Sequence, residues 1–430
     1  MRRITSLAAG ILLSAAVMGM PSADAAVPVA ERPSLAALPQ VLPAVNSART
    51  DKVRVTWDVY KDAVRYRLSV WASPQKKKLL YQNEWISLPG RELELSSYRR
   101  DKTINMDELV WSVTPLDRTG KPIAPTSELQ YLRDGEIRPE TPKIVSEYDR
   151  MDDAPLYPVY AWLSVADASS YEVEVWRRGE NGSPDERVRH LYTYENILYD
   201  EQPLTWYGNY TWRVRALDGN GRRYSEWSDR QSFVVLGKVK FAALGDSITH
   251  GGGAISTPPC MKLYNWESYT SPVSVKNLGC SGNTTADMLA RFERDVLPFQ
   301  PEVLVILGGV NDFREGTYGG ESIANLAQLR DKCNAYGIIP VFVTAPPIRP
   351  EYMLSMEEME PAAEDWRSGQ TAINEWVRQQ PYHIDITEPL TDEDGELRAG
   401  YTSDGLHPDA EPKKIIGEII GKYLFSHFGK

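Results

Sequence analysis

A serine hydroxyl becomes a nucleophile only when a neighbouring base takes its proton, an acid orients that base, and donors wait where negative charge will develop. Ser247 is placed for that chemistry: "FAALGDSITHGGG" (241–253) runs from apolar residues straight into Gly-Asp-Ser. "SDGLHP" (403–408) carries an acid and a base together. Asp404 precedes His407 by three residues, so one turn of loop brings the carboxylate to the imidazole Nδ1 and leaves Nε2 to face Ser247. Two further blocks offer donors. Gly282 in "GCSGNTT" (279–285) has no side chain to hold its N–H away from a substrate, Asn311 in "GGVND" (308–312) has a side-chain amide, and the Ser247 N–H lies at a helix start. Singly, each has an ordinary meaning: Asp246-Ser247 as a helix cap, Gly282 and Asn311 as turn residues, His407 as a helix-start residue before proline. Four such blocks in one chain point instead to nucleophilic catalysis.

The elements that must position them are legible in the hydrophobic pattern. From Lys238, strand-like runs "KVKFAAL", "VSVKNL", "EVLVIL", "IIPVFVTA" and "YHIDI" alternate with helical patterns near 284–298, 320–336, 361–379 and 410–427. Such alternation predicts a parallel sheet covered on both faces, with ligands bound beyond the carboxyl ends of the strands. Ser247 follows the first run, 279–285 the second and 308–312 the third, and 403–408 comes just before the last helix. All four blocks therefore fall at the end of the sheet where a ligand would sit.

Over about 238–428 the chain resembles the SGNH, or GDSL-type, hydrolases, which are named for a Ser, Gly, Asn and His in four such blocks. The resemblance implies a three-layer α/β/α, flavodoxin-like domain. It assigns Ser247 as nucleophile, Ser247, Gly282 and Asn311 as the oxyanion hole, and Asp404 and His407 as acid and base. Pro412 stands where many relatives have glycine, so the start of the final helix is expected to differ. Between the first two blocks, Tyr264 and Trp266 are candidates for a substrate wall, set against simple packing. "APPIRPEYMLSMEEMEP" (345–361) is either a mobile lid or a long surface loop, and His250 reads as a first-turn helical residue or a substrate contact. Other chemistries lack their residues. Ser247 is not in a Gly-x-Ser-x-Gly elbow, and there is no His-Glu-x-x-His, Cys-x-x-Cys or P-loop. "DEDGE" (392–396) and "DGNG" (218–221) lack full calcium spacing and read as turns, so no metal or cofactor is called for.

The first half repeats itself. "VRVTWDVYKDAVRYRLSVW" (53–71) is echoed by "PVYAWLSVADASSYEVEVW" (158–176), and "LVWSVTPLDRTGK" (109–121) by "YTWRVRALDGNGR" (210–222). A repeat of about a hundred residues, alternating apolar and polar with Asp/Gly turns, predicts two consecutive antiparallel β-sandwiches, and the pattern resembles fibronectin type III domains. Trp57, Trp111, Trp162 and Trp212 recur at matched positions and are expected in the two cores. Trp85, Trp206 and Trp227 lack that spacing and are the candidates for an exposed platform, while "KKK" (76–78) reads as a hairpin tip. The expected organisation is a signal peptide at 1–25, β-sandwiches at 26–137 and 138–236, and the hydrolase-like domain at 237–430.

The leader carries Arg2 and Arg3, an apolar run from Leu7 to Met20 and small residues at Ala23 and Ala25, the pattern of an exported chain with no stable membrane span after cleavage. The formal net charge of −11 makes nucleic acid or an anionic membrane a poor partner. Of the three cysteines, Cys260 and Cys280 are the preferred pair, with three reduced thiols as the alternative. The expected function is a secreted serine esterase working through an acyl-enzyme, with O-acetyl groups on carbohydrate or cell-wall glycan as favoured substrate. The alternatives are a lysophospholipase or acyl thioesterase, an acetyltransferase, and a surface carbohydrate-binding or adhesion protein whose hydrolase fold is inactive.

Overall fold

The computed structural model describes residues 41–429 except 48–50, 59, 61–62, 64, 87, 118–119, 133–136, 139–140, 166–167, 180–182, 254–257, 318 and 355–358. The leader at 1–25 lies outside the described residues, among which no helix is long and apolar enough to cross a membrane.

Both repeats form two facing sheets. In the first, one sheet orders Gly90–Glu94, Lys52–Trp57, Val41–Ser47 and Ile137–Arg138, and the other Leu79–Ile86, Arg65–Trp71, Val110–Leu116 and Gln130–Tyr131. In the second, Ile197–Tyr199, Val159–Leu163 and Lys143–Ile144 face Glu186–Thr193, Ser170–Arg177, Gly208–Leu217 and Gln231–Val235. Pairing is antiparallel except where Val41–Ser47 meets Ile137–Arg138 in parallel. The matched tryptophans are core residues. Trp57 packs on Tyr66 and Trp111 at 5.3 and 6.2 Å, and Trp162 packs on Tyr171 and Trp212 at 5.2 and 6.4 Å. Each tyrosine then accepts from the backbone six residues upstream: Tyr60 N–H to the Tyr66 hydroxyl, Val165 N–H to that of Tyr171. The alternation that aims one face of each strand inwards thus builds the same aromatic box twice. Lys76–Lys78 lie exposed between two strands, as expected of a hairpin tip. Trp85 and Trp206 are 76% and 71% exposed, whereas Trp227 is half-buried with the Arg213 and Arg215 guanidinium groups over its ring.

The remaining strands make a five-stranded parallel sheet in the order Val275–Gly279, Phe241–Gly245, Val303–Leu307, Ile339–Val343, His383–Ile384. Three of its strands are buried at every residue, which is why they read as unbroken apolar runs. Gly245 stands in register with both Gly279 and Leu307, so three strands end on one line. Gly279 lets the Ser247–His250 helix lie directly on that line, because an added Cβ there would come within 2.1 Å of the His250 nitrogen. Helices Gly319–Ala335, Trp366–Arg378 and Ala410–Phe428 supply the outer layers. Pro412 falls in the first turn of the last of these, where its missing N–H costs no intrahelical bond.

Two expectations are corrected. The helical pattern near 284–298 divides into Thr285–Ala290, Phe292–Val296 and a 3₁₀ turn Leu297–Phe299. The break falls at Arg291, whose guanidinium turns inward to donate to Leu278 O and Gly245 O, both at 2.8 Å. Cys260 and Cys280 are not bonded to each other, and all three thiols are free. Their backbones are tied elsewhere: Glu147 N–H donates to Cys260 O at 3.0 Å, and Cys280 N–H to Gly245 O at 3.0 Å.

Because Trp212 is fully buried between two sheets, Trp212→Ala should destabilise the second sandwich by about 3–5 kcal/mol. Urea unfolding of the full chain checks this, and a midpoint unchanged from wild type would contradict the packing described.

Candidate active site

The sheet's in-register edge delivers the four blocks to one place. Ser247 opens the helix after Phe241–Gly245, with Asp246 as its cap through an Oδ1 bond from Ile248 N–H at 2.9 Å. Ser247 is half-buried, and its Oγ lies 3.0 Å from His407 Nε2. His407 Nδ1 lies 2.7 Å from Asp404 Oδ2, so the three side chains form one hydrogen-bonded line. Asp404 is fully buried, and its other oxygen accepts from the N–H groups of Leu406 and His407 at 2.9 and 2.8 Å. Burial alone would raise this carboxyl, but the attraction of His407 and the hydrogen bonds outweigh it and hold the group below the usual carboxylate range. Asp404 is thereby kept ionised, which fixes His407 with its proton on Nδ1 and its lone pair on Nε2.

The donor candidates adjoin each other. Gly282 is exposed at φ +80, a left-handed conformation that favours glycine, and an added Cβ would meet nothing within 4 Å. Asn311, 4% exposed, donates one amide hydrogen to Asn283 O at 2.9 Å, which ties it to the loop that carries Gly282. Asp312 locks the same corner by accepting from Thr285 N–H and Oγ–H and from Ser322.

The structure does not give Tyr264 and Trp266 the role of a substrate wall. Trp266 is fully buried against the final helix, where a Cβ on Gly417 would come within 2.1 Å of its carbonyl, and Tyr264 is 4% exposed and packs on Gly253. Both serve as core because a fully covered ring has no face left for a ligand. Of the 345–361 segment, Ala345, Ile348 and Met353 are buried, while 355–358 lie outside the described residues. "DEDGE" is a turn closed by Asp392.

Arg349 and Lys413, two supporting residues, carried no sequence signal. Arg349 N–H donates to Gly405 O at 2.7 Å, its Nε donates to Leu397 O, and its guanidinium pairs with Asp392, so this arginine braces the Asp404–His407 loop from behind. Lys413, fully buried one turn into the last helix, donates from Nζ to Ile248 O beneath the nucleophile. His250 ends the Ser247–His250 helix and is 2% exposed, so it faces no substrate. Its Nε2 donates to Tyr157 O at 2.6 Å and its Nδ1 accepts from Ser281 Oγ at 2.8 Å.

Among the described residues, Glu172, Glu174 and His190 come close enough to suggest a metal centre. Their oxygens are already occupied by the protein's own cations, Glu172 by Arg215 and Glu174 by Arg187 and Arg213, so the set does not fit one.

Burial pushes His250 down from its ordinary value of 6.5 to about 4, so the folded protein holds it neutral where the unfolded chain binds a proton. Stability is therefore lost as pH falls through that window. Buried Asp246, raised to about 6, works in the opposite direction, so the informative quantity is a difference. The Tm of wild type relative to His250→Asn should fall between about pH 7 and about pH 5, and thermal melts showing a constant difference would refute a buried neutral imidazole.

Comparison with known proteins gives residues 243–413 as a match to the GDSL-like Lipase/Acylhydrolase family and residues 164–236 as a match to the Rha78A-like, N-terminal immunoglobulin domain. An uncharacterized lipoprotein, YqeF, of Bacillus subtilis (strain 168) is 33% identical over 82 residues, which are 18% of this chain and 34% of that one. The match thus spans about a third of the relative's length. Solved structures that resemble the chain include a lipase/acylhydrolase from Enterococcus faecalis (20% identity, 44% of this chain and 96% of that one, TM-score 0.37). An acetylxylan esterase from Geobacillus stearothermophilus is another (21% identity, 45% and 96%, TM-score 0.33). The segment 243–413, which carries the serine, glycine, asparagine and histidine blocks in order, is thus similar to the GDSL-like Lipase/Acylhydrolase family.

Proposed function

We propose that the chain is an exported serine esterase that cleaves carboxylic esters through an acyl-enzyme, acting on O-acetyl groups of carbohydrate. The observation that carries this reading is the line Ser247 Oγ, His407 Nε2, His407 Nδ1, Asp404 Oδ2, at 3.0 and 2.7 Å. His407 takes the Ser247 proton as Oγ attacks the ester carbonyl, and Asp404 stabilises the imidazolium that forms. The developing oxyanion is met by the N–H groups of Ser247 and Gly282 and by the Asn311 amide hydrogen not used on Asn283. His407 returns the proton to the departing alcohol. It then deprotonates a water that attacks the acyl carbonyl, releases the acid and restores Ser247.

Export is supported by the leader's charged, apolar and small-residue sequence. The carbohydrate reading is supported by Trp85 and Trp206, large exposed rings on the sandwich modules. Arg65 and Arg177 lie over one face of each, at 3.9 and 5.3 Å, and the solvent-facing side of each ring is the surface a sugar would stack on.

Purified mature protein should hydrolyse p-nitrophenyl acetate faster than p-nitrophenyl octanoate, and Ser247→Ala should abolish both activities. Turnover that survives Ser247→Ala would sink the nucleophile assignment, and octanoate preferred over acetate would move the substrate to long-chain acyl esters. Asn311→Ala should lower kcat by about 10²–10³, the cost of one oxyanion donor. An unchanged kcat would remove Asn311 from the mechanism.

A further inference from the structure

We infer that the second β-sandwich is a fixed part of the active site's frame: Tyr157, on the approach to its Val159–Leu163 strand, positions the Ser281–Asn283 loop through His250 and through Asp295 and Arg291. This rests on the reading of Gly282 and Asn311 as oxyanion donors.

The first relay runs through the imidazole. Tyr157 O accepts from His250 Nε2 at 2.6 Å, so the ring carries its proton there and Nδ1 is left as an acceptor. Ser281 fills that acceptor twice, from Oγ at 2.8 Å and from its backbone N–H at 3.3 Å. A backbone N–H immediately before Gly282 is thus held by a ring that is itself held by the sandwich. Tyr199, from another sandwich strand, lies edge-on to the same ring at 6.3 Å between centroids.

The second relay runs through charge. Tyr157 OH donates to Asp295 Oδ2 at 2.6 Å, and Asp295 is fully buried. The same carboxylate accepts from Arg291 Nη1 at 3.1 Å and from Arg294 Nε at 2.6 Å. Arg291 then spends its other hydrogens on the site: Nε to Asn283 Oδ1 at 2.5 Å and Nη2 to Gly245 O at 2.8 Å. One guanidinium therefore spans the donor loop and the strand that presents Ser247, and its orientation is set by a carboxylate that the sandwich's tyrosine helps to satisfy.

These relays sit on a continuous seam. Val275–Gly279 is the edge strand of the parallel sheet, and the segment 153–157 runs along it. Leu156 N–H donates to Asn277 O at 2.9 Å, and Lys276 Nζ donates to Ala154 O at 2.9 Å and pairs with Asp153 at 2.7 Å. Lys276 is 2% exposed, so this charge is tolerated only with its sandwich partner in place. A module that merely tethered the enzyme to substrate would need none of this.

The test uses the full chain with Tyr157→Phe and, separately, His250→Asn, which keeps a polar side chain but is too short to reach both partners. Amide hydrogen exchange of the peptide covering 279–284 should accelerate by about tenfold in both variants, while the Val303–Leu307 strand keeps its protection. On p-nitrophenyl acetate, kcat should fall by about tenfold to a hundredfold with KM within about twofold of wild type. Exchange at 279–284 unchanged, exchange raised equally across the whole sheet, or kcat held within about twofold would each overturn the inference. Should wild type and Ser247→Ala prove equally inactive on the ester, the esterase reading fails while the exchange result still decides the positioning claim.

Discussion

The architecture of the site depends on three parallel strands that stop together. Gly245, Gly279 and Leu307 share one register, so the residues that follow them leave the sheet at the same height. A parallel sheet does this because every strand runs the same way, and its carboxyl edge collects the loops of all its crossovers. Ser247, the Gly282 loop and Asn311 come from three such exits, and the Asp404–His407 loop arrives from the start of the last helix. Packing then makes the edge rigid: the short helix that holds Ser247 rests on Gly279 with no room for even a methyl group.

Charge is handled at this edge by pairing. Asp404 is buried and yet stays ionised, because two backbone N–H groups and the imidazole replace the water it has lost. Asp246, one residue before the nucleophile, has fewer partners, and burial raises it to about 6. Lys413 lies near it in the same buried corner, pushed down by burial against the pull of Glu267 and Asp246. Around Ser247, two buried aspartates are thus shifted in opposite directions, because Asp404 is surrounded by donors and Asp246 has fewer.

The two sandwiches are built alike and connected differently. Both enclose a Trp-Tyr-Trp box, and both close their late strand through a serine, Ser127 on Val113 N–H and Ser228 on Val214 N–H. The apolar core of the second runs without interruption into that of the parallel sheet, whereas the core of the first stands apart. A polar seam from Asp153 to Tyr157 adds hydrogen bonds to this apolar continuity. Sequence repetition therefore describes what each module is, and leaves open what it touches.

The sequence by itself determined what is local or periodic. Apolar runs spaced by helical patterns specify a parallel sheet, alternation with paired tryptophans specifies the sandwiches, and the close spacing of Asp404 and His407 allows their contact within one turn. The blocks that follow three strands are then brought together by the sheet, and the last helix delivers His407 to within 3.0 Å of Ser247 across 160 residues. Tertiary structure alone decided that Trp266 and Tyr264 are covered by the final helix and the Gly253 loop instead of lining a site. It also decided that the three thiols stay free, the bracing by Arg349 and Lys413, and the seating of His250 against the sandwich. Those choices depend on which surfaces meet. An arginine or histidine with several donors takes whichever acceptor the packing brings within reach, and no local spacing encodes that acceptor.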